Sequence, residues 1–326
     1  MTALAVCLAL SAAIVFGIAA VNQHRGVRSA MGRDRRHLSV GQVAALLADP
    51  SWRRGLVLMT LGTGCHVAAL SLAPISLTQP INVLAVPTTI ITSAIVTKRR
   101  PALLVTIAAL AVVVGVAGVV SPLVGVTPGN RPAPGLLGWV GAAVITATVA
   151  LHLAARRVLS ARQHRGPSWL APMLLAVAGA MNLGSASSTF RLLAQDLSHA
   201  QPLPMGAVVA LGGFIPIGLA AGSWSLQQAY AAGAASAVTA TSSVADPFVA
   251  VIIGMAVLGE TPILTGPRVI ALVAATAIAV AGVISLTRHD NVSDDEPDAP
   301  PARSHDPGQL RFLHQRRTIH ARLARR

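Results

Sequence analysis

Uncharged runs of about twenty residues alternate along this chain with short clusters of arginine. Nine such runs stand at 2–22, 55–73, 77–97, 102–121, 135–155, 169–190, 205–226, 237–258 and 267–287. A helix rises about 1.5 Å per residue, so some twenty apolar residues span the ~30 Å hydrocarbon core of a bilayer. Each run therefore predicts a membrane-spanning helix. The division is least sharp between 220 and 245, where Gly, Ala, Ser and Thr blur the edges. The fold class expected is an all-α polytopic membrane protein.

The basic residues give these spans a direction. Arginines 25, 28, 33, 35, 36, 53 and 54 fill the first loop, and Lys98-Arg99-Arg100 follows the third span. Arg156, Arg157, Arg162 and Arg165 follow the fifth, and eight more lie in the tail from Arg288 onward. Only Arg131, Arg191 and Arg268 stand outside these groups. Basic loops stay on the cytoplasmic side. All four groups share that side if nine spans are present, with the N-terminus outside and the tail inside. A tenth span would have to precede the first basic loop, and residues 1–22 cannot hold two.

Composition narrows the class. The 326 residues are 53% hydrophobic and 11% charged, against roughly 25% charged in soluble proteins, and no polar stretch is long enough for a large soluble domain. The net charge of +14 would suggest nucleic acid in a soluble protein; here arginines marking loops account for it, so no nucleic-acid partner is expected. Cys7 and Cys65 both fall in apolar runs, which implies neither a disulfide nor a metal framework. Residues 2–22 lack a charged leading segment and read as a retained span rather than a signal peptide. Within the first loop, Leu38 to Ala48 has the pattern of a short amphipathic helix lying on the inner surface. The tail starts acidic and proline-rich, which reads as disordered. It ends with Phe312, Ile319 and Leu323 near one helical face among arginines, a pattern that suits anionic lipid.

One charge breaks the apolar pattern. Asp246 stands next to Pro247 near the middle of the run 237–258. A carboxylate at that depth costs at least ~2.5–3.5 kcal/mol and marks a pathway more often than a packing position. Proline removes a backbone hydrogen bond and kinks a helix. The competing reading makes Asp246 an interfacial N-cap with Pro247 at the first helical position. That would leave about thirteen residues, or ~20 Å, for the span. Further candidates for meeting substrate or a proton are His66 at mid-depth in the second span and Gln79 and Asn82 in the third. Gln227 and Tyr230, with Gln228 beside them and Trp224 a turn earlier, end the seventh span and are candidates for an inner vestibule. Histidines and amides in membranes also serve simply as ties between helices, and this is the default reading for Asn182. His152, Asn22 and Gln23 stand at inner membrane edges, and Gly115-Val-Ala-Gly118 reads as a helix-crossing motif. No metal-ligand spacing, phosphate-binding loop or nucleophile elbow is present. An enzyme is not expected, nor a cofactor.

The chain repeats itself. Shifted by 160 residues, Ala69, Ser76, Ala85 and Pro87 meet Ala229, Ser236, Ala245 and Pro247, and Val116-Ala-Gly-Val-Val-Ser121 resembles Val280-Ala-Gly-Val-Ile-Ser285. By the topology above the Pro87 span runs inward and the Pro247 span outward, an inverted repeat of the kind whose midplane interface holds substrate. Pro87 and Pro247 then become paired kink points. The halves are 1–121 and 135–287, joined by an outer loop at 122–134 and followed by the cytoplasmic tail at 288–326. The segments Ala69–Leu84 and Ser243–Glu260 resemble the drug/metabolite transporter (DMT, EamA-like) superfamily. Leu10-Ser-Ala-Ala-Ile-Val-Phe-Gly-Ile-Ala-Ala-Val-Asn-Gln-His-Arg-Gly26 resembles its NIPA-type magnesium-transporter branch. The resemblance spans roughly 2–287 and implies inverted halves with a proline in the fourth helix of each; its NIPA-type branch implies nine spans and an outside N-terminus. Two departures stand out. Thr97-Lys-Arg-Arg100 replaces a family Gly-Glu-Arg, and Asp246 stands where the NIPA branch has an uncharged residue.

Three functions are therefore expected in order. The first is a plasma-membrane secondary transporter exchanging a small metabolite or cationic compound for protons through Asp246. The second is a divalent-cation transporter, with Glu260 and Asp196 the nearest other carboxylates at the outer edge. The third is a non-transporting membrane partner or lipid-carrier subunit using the basic tail. The partners expected are a small molecule or ion and membrane lipid, and a homodimer is one assembly open to the chain.

Overall fold

A computed structural model describes residues 2–31, 37–72, 81–120, 134–161, 169–196, 205–258 and 265–294. Gln79, Glu260, Arg131 with the rest of the outer loop 122–133, and the tail beyond 294 lie outside the described residues. Ten α-helices and no strand are found among the described residues. They are α1 (Thr2–Met31), α2 (Val43–Ala48), α3 (Pro50–Leu72), α4 (Ala85–Thr97) and α5 (Leu103–Val120). The second group comprises α6 (Pro134–Ala161), α7 (Leu170–Asp196), α8 (Met205–Ala232), α9 (Ala235–Leu258) and α10 (Gly266–Asp294). Each uncharged run of the sequence overlaps one of these helices. Among the described residues, four stretches are by length and composition fit to cross a membrane: Ala3–Met31, Gly138–Ser160, Leu170–Thr189 and Gly266–His289. Ala85–Thr97 and Leu103–Val119 are shorter apolar helices.

Several boundaries differ from the sequence reading, most of all at α1 and the first loop. α6, α7, α8 and α10 also run past their predicted ends, and α4 starts at Ala85 instead of 77. α1 continues nine residues past the predicted end at 22, to Met31. Asn22 and Gln23 are thus inside a helix, Asn22 donating to the Ile18 carbonyl at 2.9 Å and Gln23 buried. The inner-surface helix is a short 3-10 turn, Val40–Gln42, leading into α2. Its Leu38 and Leu46 are buried against the bundle while Val40 and Leu47 face out.

Small residues set the helix crossings. A methyl group added at Gly62 of α3 would meet the Phe16 ring of α1 at 2.8 Å, and one at Gly222 of α8 would meet Leu183 of α7 at 2.7 Å. Gly62 and Gly222 are related by the 160-residue shift, so the same crossing occurs once in each half. Likewise α1 packs on both α3 and α4, as α7 packs on both α8 and α9. The repeated Val-Ala-Gly motif makes a reciprocal contact. Gly118 of α5 lies against Ala275 of α10, while its counterpart Gly282 of α10 lies against the Ala108 carbonyl and Val112 of α5. Gly115 meets Ala279 between them. As the α5 number falls the α10 number rises, so the two helices run antiparallel. Small residues allow this close approach, where van der Waals contact replaces a hydrophobic driving force that lipid does not supply.

The apolar interior has two parts. One joins α4 and α5 to α9 and α10 around Val83, Val86, Val112, Val244 and Leu286. The other joins Val27 and Met31 of α1, Leu38 and Leu46 of the first loop, and Trp52 of α3 to Ala155, Ala171, Leu175, Tyr230 and Val238 of the second half. Arg288, at the end of α10, lies over the Trp169 ring at 4.9 Å, beside the start of α7. The first loop, the end of α6 with Arg156 and Arg157, and the start of α7 with Arg288 over Trp169 thus meet at one arginine-rich end.

Candidate functional site

Asp246 is the twelfth of the 24 residues of α9. About 17 Å of helix precede it at 1.5 Å per residue. The helix begins at Ala235, so the N-cap reading of Asp246 is overturned: the Asp-Pro pair lies at the helix centre. The turns before it are rich in hydroxyls that bond back along the helix. Thr241 donates to the Ala237 carbonyl at 2.7 Å, and Ser242 to Val238 and Thr239 at 3.0 Å each. Such back-bonding tends to bend a helix slightly. The helix nevertheless passes through position 247 without a break.

The Asp246 carboxylate faces α7. Its Oδ1 lies 3.1 Å from where a methyl on Gly184 would stand, and Val249 lies at 3.2 Å from the same point. The other half has the equivalent crossing, with Gly17 of α1 against the Ala85 carbonyl and Thr88 of α4. Glycine is thus what lets a carboxylate fit between α7 and α9, at a crossing whose twin carries only Ala and Thr. No basic side chain among the described residues pairs with Asp246.

A second polar group gathers at the arginine-rich end. Gln227 of α8 accepts from Trp52 Nε1 at 3.1 Å and donates to Gln23 Oε1 of α1 at 3.0 Å. Gln228 grips the first loop at two points, donating to the Leu38 carbonyl at 2.7 Å and accepting from the Leu38 N–H at 3.1 Å. His24 Nδ1 donates to the Tyr230 carbonyl at 3.1 Å. Gln227 and Tyr230 are 7% and 3% exposed. They belong to this cluster, the Gln227 amide meeting Trp52 and Gln23 and the Tyr230 carbonyl meeting His24. Trp52 is held in register by a cap: Asp49 Oδ1 accepts from the Ser51 and Trp52 N–H groups at 2.8 and 2.9 Å, with Pro50 at the first helical position. Burial pulls the Asp49 carboxyl upward. The Trp52 N–H, the Ser29 hydroxyl, the Ser51 N–H and the Arg54 charge outweigh it and hold the pKa below its ordinary value.

The remaining candidates scatter. His66 stands edge-on to Phe16 with centroids 6.3 Å apart, and its Nδ1 is buried with no hydrogen-bond partner. Asn82 Oδ1 is likewise buried and unpartnered. Pro87 is in the first turn of α4, where the sequence reading placed a kink near mid-span. Residues 83–84 form a turn, and Val86 N–H bonds the Val83 carbonyl at 2.9 Å. Val83 is the residue four before the proline, whose carbonyl a proline ring displaces, so the helix breaks there rather than bending. Asn182 ties α7 to α6 through Thr148 Oγ1 at 2.7 Å. Ser225 gives its proton to the Ala221 carbonyl, which leaves His152 Nε2 as donor to Ser225 Oγ at 2.9 Å. No three His, Cys, Asp or Glu side chains come together as a metal group among the described residues. Sequence reading passed over Trp52, Gly184 and Pro216, the last a proline inside α8. The Asp49-Pro50 pair was the available signal for Trp52, since that dipeptide starts a helix three residues before it.

Apolar helices joined at small-residue crossings, one of them carrying a carboxylate at its centre, point to an integral membrane protein. Residues 2–128 match a family model described as magnesium transporter NIPA. NIPA is a branch of the DMT-like superfamily, and the match agrees with the resemblance read from the sequence; it supports a membrane transporter. No curated protein and no solved structure matches the chain.

Proposed function

We propose that this chain is a secondary transporter of a small cation, with magnesium the first candidate, and that Asp246 is the group that meets the cargo. The observation that carries this is the carboxylate at the centre of α9, without a basic partner among the described residues and seated against Gly184. The family match over 2–128 supports magnesium over the metabolite exchange first expected. One carboxylate is compatible with that cargo: Mg2+ keeps several waters and is held by only one or two carboxylates. The antiparallel, reciprocal contact of α5 with α10 supports an inverted repeat, and with it a site at the interface of the halves. In this reading nine spans cross the plasma membrane, with the N-terminus outside and the arginine-rich loops and tail in the cytoplasm.

Proton-coupled exchange of a small metabolite or cationic compound is the second reading. It is favoured by the same carboxylate, which has no basic partner among the described residues and so is free to hold a proton or a substrate in turn. Proteoliposomes enclosing a magnesium indicator separate the two. Magnesium entry without a pH gradient, lost in Asp246→Asn, is the expected result. No magnesium entry, or entry undiminished in Asp246→Asn, removes the cation reading. Transport of an organic cation only under a pH gradient would put the second in its place.

A further inference from the structure

Five hydrogen bonds that cross from the first half to the second gather at the arginine-rich end: Trp52–Gln227, Gln23–Gln227, His24–Tyr230 and the two between Leu38 and Gln228. Around them the chain is closed. Leu38 and Val27 are fully buried, and Gln228, Gln23 and Tyr230 are nearly so. The same cluster takes residues from α1, the first loop, α3, α6, α7, α8 and α9. Elsewhere α4 and α5 meet α9 and α10 around an apolar cluster and at the close glycine approaches of Gly115 and Gly282.

We propose that the segment from Leu38 to Trp52 is a gate at this end, with Leu38 as its plug and Gln228 and Gln227 as its latch. The inference rests on the transport reading, since a gate presupposes something to pass. Its physical basis is the choice of amides. A buried amide bond adds only about 0.5–1.5 kcal/mol net to the closed state, because the freed groups bond to water on opening. An apolar seal alone has no such compensation. Amides therefore allow a tight closure to be reversible, while their geometry returns the loop to one register. Gln228 fixes that register at a single residue, since both bonds go to the backbone of Leu38. Asp49 then carries the grip into α3, by capping the helix on which Trp52 reaches Gln227.

The test uses the full chain with Cys7→Ala and Cys65→Ala, and Ser236→Cys as reporter. Ser236 is buried at the start of α9, and its hydroxyl has no partner to lose. Gln228→Leu keeps the side-chain size and removes both Leu38 bonds. Labelling of the reporter by a membrane-impermeant maleimide, applied to vesicles exposing the arginine-rich end, should quicken about tenfold in this variant. Trp52→Phe, which removes one donor and keeps the packing, should quicken it by a smaller factor. Equal labelling rates in all three proteins, each with an unchanged melting temperature, would overturn the gate. If Gln228→Leu does not fold, Trp52→Phe alone decides by the same criterion. Labelling needs no substrate, so it stands whether or not Asp246→Asn stops flux. As a flux measurement, Gln23→Cys with Gln227→Cys should block transport when oxidised and release it on reduction. Flux unaffected by that cross-link, in a protein that Asp246→Asn silences, would also overturn the gate and leave the transport reading intact.

Discussion

Trp52 and Gln227, 175 positions apart, share a hydrogen bond of 3.1 Å that joins the first half of the chain to the second. The bond depends on a local event. Asp49 ends the first loop and caps α3, which fixes the face on which Trp52 leaves the helix. Replacing Asp49 by Ala should cost about 0.5–2 kcal/mol, read as a lower melting temperature in detergent at neutral pH.

The same cap gives a pH dependence with a definite sign. The folded pKa of Asp49 lies below its ordinary 3.8. Its stabilising contribution is therefore complete above that value and is lost as pH falls through the folded pKa. The gap in melting temperature between wild type and Asp49→Ala should be full at neutral pH and narrow on acidification below about pH 4. A gap that widens on acidification would contradict the cap.

Gly184 is the complement of Asp246. Gly184→Ala places a methyl 3.1 Å from Asp246 Oδ1 and 3.2 Å from Val249, so α7 and α9 must part or the carboxylate must turn. We expect a loss of about 1–3 kcal/mol in stability together with reduced magnesium entry. Gly64→Ala is the control, since nothing lies within 4 Å of the added methyl. There a helical glycine is replaced in open space, and stability should rise by up to about 1 kcal/mol. Equal effects at both positions would separate Gly184 from the site.

Gly282 tests the crossing of the repeat. Its methyl would lie 2.8 Å from the Ala108 carbonyl and 2.9 Å from the Val112 N. Backbone cannot yield as a flexible side chain does. Gly282→Val should lower the yield of monodisperse protein in detergent more than Gly138→Val, where the space is open.

Much of the architecture was legible because membrane helices announce themselves. The bilayer demands about twenty apolar residues per span and internally satisfied backbone, and each run yielded a helix. The pairing of Pro87 with Pro247 was legible as a sequence pattern, although the two prolines differ in structure. Pro87 breaks its helix at Val83 and Pro247 lies within a continuous one, where Thr241 and Ser242 bond back along the preceding turns. Gln227 and Tyr230 were legible as polar groups near one end of an apolar run. Their burial against Gln23, His24 and the first loop was not legible, because a residue's partners depend on which segments fold back upon it.

The sequence by itself determined the helical class, the places of the apolar stretches, the shared grouping of basic residues and the single carboxylate in the middle of an apolar helix. These follow from composition along one dimension, where the cost of charge and of unpaired backbone in lipid acts locally. Only the tertiary structure decided that Asp246 faces Gly184, that α5 and α10 touch through reciprocal glycines, and that Gln228 holds Leu38. Those relations depend on close approach between residues up to 190 positions apart, which the packing of small side chains permits and which no local pattern records.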